Sequence, residues 1–228
     1  MVVIGGSSGI GFATASQFAR SGGRVTIVAR NREKIDAALQ RLGPSTEGAA
    51  VDARDRDGLD ALFKRIDAID HLVIAASSGV SAGSFNELKP DYLRKGFEAK
   101  FWAHFNVAQS ALPFMANGGS ITFVTGATSR FANPGTVGLA AINGAIGQLV
   151  PTLARELAPL RVNAVSPGVI DTPWWSDKPS DQLERQARKA PLARAGRPEE
   201  VADAILFLAR NQFVTGIVLD VDGGLHLT

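Results

Sequence analysis

The feature that most constrains this chain is a regular alternation of short β-branched runs with amphipathic helical stretches. Such alternation marks βαβ units, in which each strand runs parallel to the last and a helix carries the chain back over the sheet. Residues 2–4 open as a strand, and residues 10–21 follow as a helix bounded by glycines. Residues 25–29, 49–52, 71–76, 120–125, 161–165 and 214–221 read as the other strands. Helices are expected over residues 34–42, 58–66, 91–115, 139–157 and 198–209, the last opened by a proline and two glutamates. The pattern predicts one α/β domain over residues 1–228, a doubly wound parallel sheet with helices on both faces. Residues 176–197 form the one long polar stretch, read as part of a substrate flap around residues 172–197.

Composition removes several classes of function. A net charge of +2 is too small to point to nucleic acid or an anionic membrane. The absence of cysteine excludes disulfides, thiolate nucleophiles and cysteine metal sites. His71, His104 and His226 lie far apart without a ligand spacing, so no metal site is expected. No apolar run of membrane-spanning length and no signal segment is read, which gives the expectation of a cytoplasmic protein.

The chemistry begins at the first strand-to-helix turn, Gly5-Gly6-Ser7-Ser8-Gly9-Ile10-Gly11. Glycines there let the backbone turn sharply and approach a pyrophosphate, which then faces free N–H groups and the positive end of a helix. A glycine cluster alone is weak, but this one has a strand before it and a helix after it. About twenty residues on, NAD-selective folds place an acid for the ribose 2′-hydroxyl. This chain has Ala29, then Arg30 and Asn31, and the Arg30 guanidinium suits a 2′-phosphate. The expected cofactor is NADP(H).

These residues and several downstream resemble the short-chain dehydrogenase/reductase family over nearly the whole chain. Gly5, Gly9 and Gly11 are similar to its cofactor loop, although Ile4 replaces the usual threonine. Asp52 matches an acid that contacts adenine, and Arg161-Val162-Asn163-Ala164-Val165-Ser166-Pro167-Gly168 resembles the sixth strand and its turn. Thr172 matches the threonine beside the nicotinamide, while residues 198–202 and 215–224 are similar to the last helix and strand. The resemblance implies a seven-stranded Rossmann sheet. It also implies cofactor contacts at Gly5, Ser7, Ser8, Gly9, Ile10, Gly11, Arg30, Asn31, Asp52, Ala53, Ala75, Ala76, Asn143, Pro167, Gly168, Ile170 and Thr172. A homodimer or homotetramer built on the two long helices is implied as well. The apolar residues Phe101, Trp102, Phe105, Val107, Leu112 and Phe114 agree with such an interface.

The departure lies in the acid–base residues. The family pattern is asparagine, serine, tyrosine and lysine, with the tyrosine protonating the carbonyl oxygen and the lysine depressing its pKa. Ungapped registration puts Lys100, Gly126, Leu139 and Asn143 at those positions. The sole tyrosine is Tyr92, and no lysine lies between Lys100 and Lys178. Three readings stay open. The first is a reductase of a small carbonyl compound, of diketone or quinone type, using another donor. Lys100 and His104, spaced i,i+4, and Thr128 or Ser129 are the candidates. The second is a module that binds NADPH without turnover, and the third a structural subunit beside an active relative. Asn143 is expected to touch the cofactor without acting as acid or base, and Trp174 and Trp175 to line an apolar substrate pocket.

Overall fold

The computed structural model describes residues 1–77 and 79–228. Its strands are β1 (Val2–Ile4), β2 (Val25–Ala29), β3 (Thr46–Ala50), β4 (Ile69–Ile74), β5 (Met115–Val124), β6 (Arg161–Pro167) and β7 (Val218–Val221). All pairings are parallel, in the order β3-β2-β1-β4-β5-β6-β7. This is the expected doubly wound sheet, whose strand order reverses between β1 and β4.

Helices α1 (Gly9–Arg20), α2 (Arg32–Leu42) and α8 (Pro198–Arg210) cover one face, burying Ala15, Ile35, Val201 and Ile205 against Val3, Ile27 and Val165. On the other face lie α3 (Arg56–Phe63), α5 (Ala103–Ala111) and α6 (Val137–Glu156). Leu59, Val107, Ile142 and Ile146 pack there against Leu72, Ile121 and Phe123. Burying both faces explains why strands such as β4 end in continuous apolar runs. Short helices α4 (Pro90–Gly96) and α7 (Gln182–Ala187) complete the set used below.

Several boundaries differ from expectation. The third strand is Thr46–Ala50, not 49–52, because pairing starts at Val25 with Thr46 and Asp52 turns away to accept from Arg54. The last strand starts only at Val218. Before it, main-chain bonds run from Gly216 N to Val162 O and from Ala164 N to Ile217 O, but the Asn163 amide bonds Val214 O and Ile217 N, and Thr215 Oγ1 accepts from Val162 N, so side chains interrupt the regular ladder. The predicted helix over residues 91–115 is broken. After α4 the backbone widens into a π turn over Phe97–Trp102, resumes as α5, and tightens into a 3-10 turn at Leu112–Phe114 containing Pro113. Val107 points into the core, whereas Trp102 is 43% exposed. Among the described residues one helix, α6, is long and apolar enough to cross a membrane, against the expectation of none. Its Ile142, Ile146, Val150 and Ala154 are buried against the sheet.

Candidate functional site at the carboxyl ends of the strands

Parallel strands bring all their carboxyl ends to one edge of the sheet, and the loops that leave them build the site. The glycine turn leaves β1 between the ends of β2 and β4. Gly5 has φ +83°, and a Cβ there would lie 2.8 Å from Ala75 O. At Gly11 a Cβ would come within 2.3 Å of Gly5 O, so the turn can pack under the helix only as glycine. Ser8 precedes α1 without a side-chain cap, which leaves the amides of the first turn, at Gly9, Ile10 and Gly11, open to an acceptor. Ser7 and Ser8 flank that opening.

At the end of β2, Arg30 is exposed and makes no hydrogen bond or ion pair among the described residues. Asn31 is occupied locally, capping α2 by accepting from Lys34 N at 2.9 Å. Asp52, after β3, is bound by Arg54 at 2.6 Å. That hydrogen bond holds the Asp52 carboxyl below its usual pKa against the opposing effect of burial, with a smaller push from Arg30. Ala53 is buried beside it.

The loops after β4 and β6 close the other side. Gly168 lets β6 pass the end of β7, since a Cβ would meet Asp222 Cα at 2.7 Å. Pro167 and Ile170 are buried. Thr172 reaches back to the glycine turn, its Cγ2 standing 3.3 Å from where a Gly9 Cβ would be. A ligand lying across the turn therefore meets residues from both halves of the sheet. An open helix terminus, a packed glycine turn and a free guanidinium are a donor set suited to a phosphorylated dinucleotide.

The centre of the edge holds an unusual charge. Lys100 sits in the π turn with 8% exposure, and its Nζ donates to Thr125 O at 2.8 Å and to Asn143 Oδ1 at 2.7 Å. No carboxylate pairs with it among the described residues, and burial pushes its pKa down from 10.5 to about 8. Asn143, from the second turn of α6, passes the contact on: its Nδ2 donates to Thr128 Oγ1 at 2.9 Å. Gly126 makes room for this amide, because a Cβ there would stand 3.0 Å from Asn143 Nδ2.

His104, one helical turn beyond Lys100, is fully buried, and its Nε2 lies 2.8 Å from Ala76 O. Burial, reinforced by the Lys100 charge, pushes its pKa down to about 3. The ring is therefore neutral near pH 7, donates through Nε2 to the Ala76 carbonyl, and fixes the turn after β4. Leu139 is half-buried one turn before Asn143, and Tyr92 is 41% exposed on α4. Thr125 was not singled out from sequence, since a backbone carbonyl acceptor has no side-chain signature. The spacing of histidines also overlooked Asp220, Asp222 and His226, whose ligand atoms lie within 4.8 Å of one another. Internal partners take most of those atoms: Asp222 accepts from His226 Nδ1, and Asp220 pairs with Arg130.

Over the edge, the flap places Trp174 against Trp175 with ring centroids 4.7 Å apart, and Trp175 Nε1 donates to Ile170 O. A Cβ on Gly79 would lie 3.6 Å from Trp174 Nε1, so the loop after β4 and the flap approach each other.

Residues 5–226 match the family model described as enoyl-(acyl carrier protein) reductase. The short-chain dehydrogenase/reductase ATR9 of Stachybotrys chlorohalonatus is 35% identical over 246 residues, covering 100% of this chain and 96% of that protein. The 3-oxoacyl-(acyl-carrier-protein) reductase FabG of Thermotoga maritima is 32% identical over 238 residues, covering 98% and 96%. Among solved structures, a small-chain dehydrogenase in complex with NADPH matches with a TM-score of 0.82 and 31% identity, covering 100% of this chain and 98% of that one.

Proposed function

The chain belongs to the short-chain dehydrogenase/reductase family, and from that premise we propose that it is an NADPH-dependent reductase of small apolar carbonyl compounds that works without a tyrosine acid. The observation that carries this reading is Lys100, a buried ammonium with no carboxylate partner among the described residues, at the centre of the strand edge. Burying a charge without a carboxylate partner is costly, and such a group beside a ligand edge is a candidate for function.

NADPH, when bound, supplies hydride. The amides at the start of α1 would hold its pyrophosphate and Arg30 its 2′-phosphate, while Thr172 and Asn143 would line the nicotinamide end. Reduction then adds hydride to the carbonyl carbon and a proton to its oxygen. Lys100 and Thr128 are the candidate donors for that oxygen. His104, neutral and bonded to Ala76 O, serves to hold the turn after β4. With no phenol acid to help, a carbonyl already activated by its neighbours is the suitable substrate, and the paired tryptophans favour an apolar one such as a vicinal diketone or a quinone. The exposed Trp102 and its partners Phe101 and Phe105 support assembly of copies through the helix that carries Lys100.

The test is NADPH consumption against a panel of diketones, quinones and simple ketones. Turnover of the activated carbonyls, with little of the simple ketones, is expected. Micromolar NADPH binding with no turnover on the whole panel would make the chain a cofactor-binding module instead.

A further inference from the structure

Three hydroxyls stand on the turn that follows β5. Thr125 Oγ1 donates to Val165 O at 2.9 Å, and Ser129 Oγ donates to Gly126 O at 3.0 Å. Thr128 differs: its Oγ1 accepts from Asn143 Nδ2, and its own proton goes to no group among the described residues. The direction of that bond follows from Lys100. An ammonium has donors and no lone pair, so the Asn143 atom facing it must be the carbonyl oxygen. The amide nitrogen is then turned to Thr128 and, having only protons to offer, makes the hydroxyl an acceptor. Thr128 is half-buried on the turn that leaves the carboxyl end of β5, so its hydroxyl is not sealed in the core.

We infer that Lys100 and Asn143 form a polarity relay that aims the Thr128 hydroxyl proton at the substrate carbonyl oxygen, making Thr128 the residue that polarises the substrate and Asn143 a positioning residue. The inference rests on the carbonyl-reductase reading for its ligand class, but not on turnover. It also accounts for Gly126, whose missing side chain leaves the space the amide occupies.

The experiment is an infrared measurement of isotope-labelled benzil, an apolar vicinal diketone, bound to the protein with NADP+, where no hydride can transfer. The wild type and Thr128→Ser are expected to shift the carbonyl stretch to lower frequency. Thr128→Val should abolish the shift. Asn143→Asp should abolish it too, because a carboxylate can only accept and turns the Thr128 proton inward; that variant keeps a partner for Lys100, so loss of folding is not the cause. With NADPH, the Thr128→Val and Asn143→Asp variants should lose turnover by about a hundredfold, the scale for one lost donor to a developing oxyanion. A shift that obeys this pattern in a protein without turnover sustains the relay and overturns the reductase reading. Turnover with no shift in the wild type, or a shift untouched by both variants, overturns the relay and leaves the reductase reading standing.

Discussion

The Lys100 ammonium, carried by the helix before β5, meets the side-chain carbonyl of Asn143, carried by the helix after it, across 2.7 Å of buried space. By the family resemblance these two positions hold an asparagine and a lysine in the opposite order. The pair therefore keeps one amine and one amide in contact while exchanging the helices that present them. Exchange is testable as a double-mutant cycle. Asn143→Lys alone places two ammoniums in one buried pocket, and Lys100→Asn alone removes the charge. The combined exchange should recover stability relative to the sum of the singles, with a coupling of about 0.5–3 kcal/mol in denaturant unfolding. Additive effects would show that the contact is incidental.

Lys100 also sets a dependence on alkaline pH. Its pKa is lowered from 10.5 to about 8 by burial, so between these values the folded protein binds fewer protons than the unfolded chain. Stability gained from this group therefore rises with pH through that window, and below it the full penalty of burying the ammonium is present. Lys100→Met should flatten the rise, an effect on the order of a few kcal/mol at full extent. Turnover should move the other way, falling as pH passes about 8 and the ammonium is lost. Parallel chemical unfolding and rate profiles of the two proteins would separate these trends.

His104 acts at the acid end. Its pKa is lowered to about 3, so from the ordinary histidine value near 6.5 downward the unfolded chain binds a proton that the folded protein refuses. Its contribution is present above that range and is lost progressively as pH falls through it. His104→Gln, which retains a donor for Ala76 O, should reduce the acid sensitivity of the unfolding midpoint between pH 6 and 4. An unchanged acid limb would mean that other groups carry it.

Much of the frame was legible because it depends on local rules. The β-branched runs, the glycine turn and the helix stops placed five of the strands within three residues, while β5 starts at Met115, inside the stretch expected to be helical, and the motifs from Gly5 to Gly224 carried the family. What stayed hidden depends on long-range contacts. Lys100 reads in sequence as a surface or interface lysine as readily as a functional one. Only the π turn at Phe97–Trp102 and the arrival of Asn143, 43 positions away, show that it is buried and held. The short last strand was equally hidden, since Asn163 and Thr215 interrupt the ladder with side-chain bonds that alternation cannot register.

Arg30 offers a test of the cofactor end. It is exposed at the end of β2 and makes no hydrogen bond among the described residues, so its guanidinium is free to take a 2′-phosphate. Arg30→Ala should weaken NADPH binding by about tenfold or more while leaving NADH nearly unchanged, the scale of one lost charge-assisted bond. Titration of both nucleotides by fluorescence measures the ratio. Equal losses would place the 2′-phosphate elsewhere.

Gly126 is the position where restoring a side chain should do harm. The resemblance puts a serine there, and a serine would return a missing polar group. In this chain the space is already taken, because a Cβ would stand 3.0 Å from Asn143 Nδ2, closer than most such contacts allow. The amide would have to move by a few tenths of an ångström, stretching its bonds to Lys100 and Thr128 together. Gly126→Ala should therefore lower turnover several-fold or more while costing much less in NADPH affinity, since misplacement of that size at a reacting centre is costly while the phosphate end is untouched. Gly126→Ser should fare no better unless its hydroxyl takes over from Thr128. A Gly126→Ser/Thr128→Val protein that regains turnover would show that the hydroxyl can be supplied from either residue, and that the amide tolerates the added Cβ.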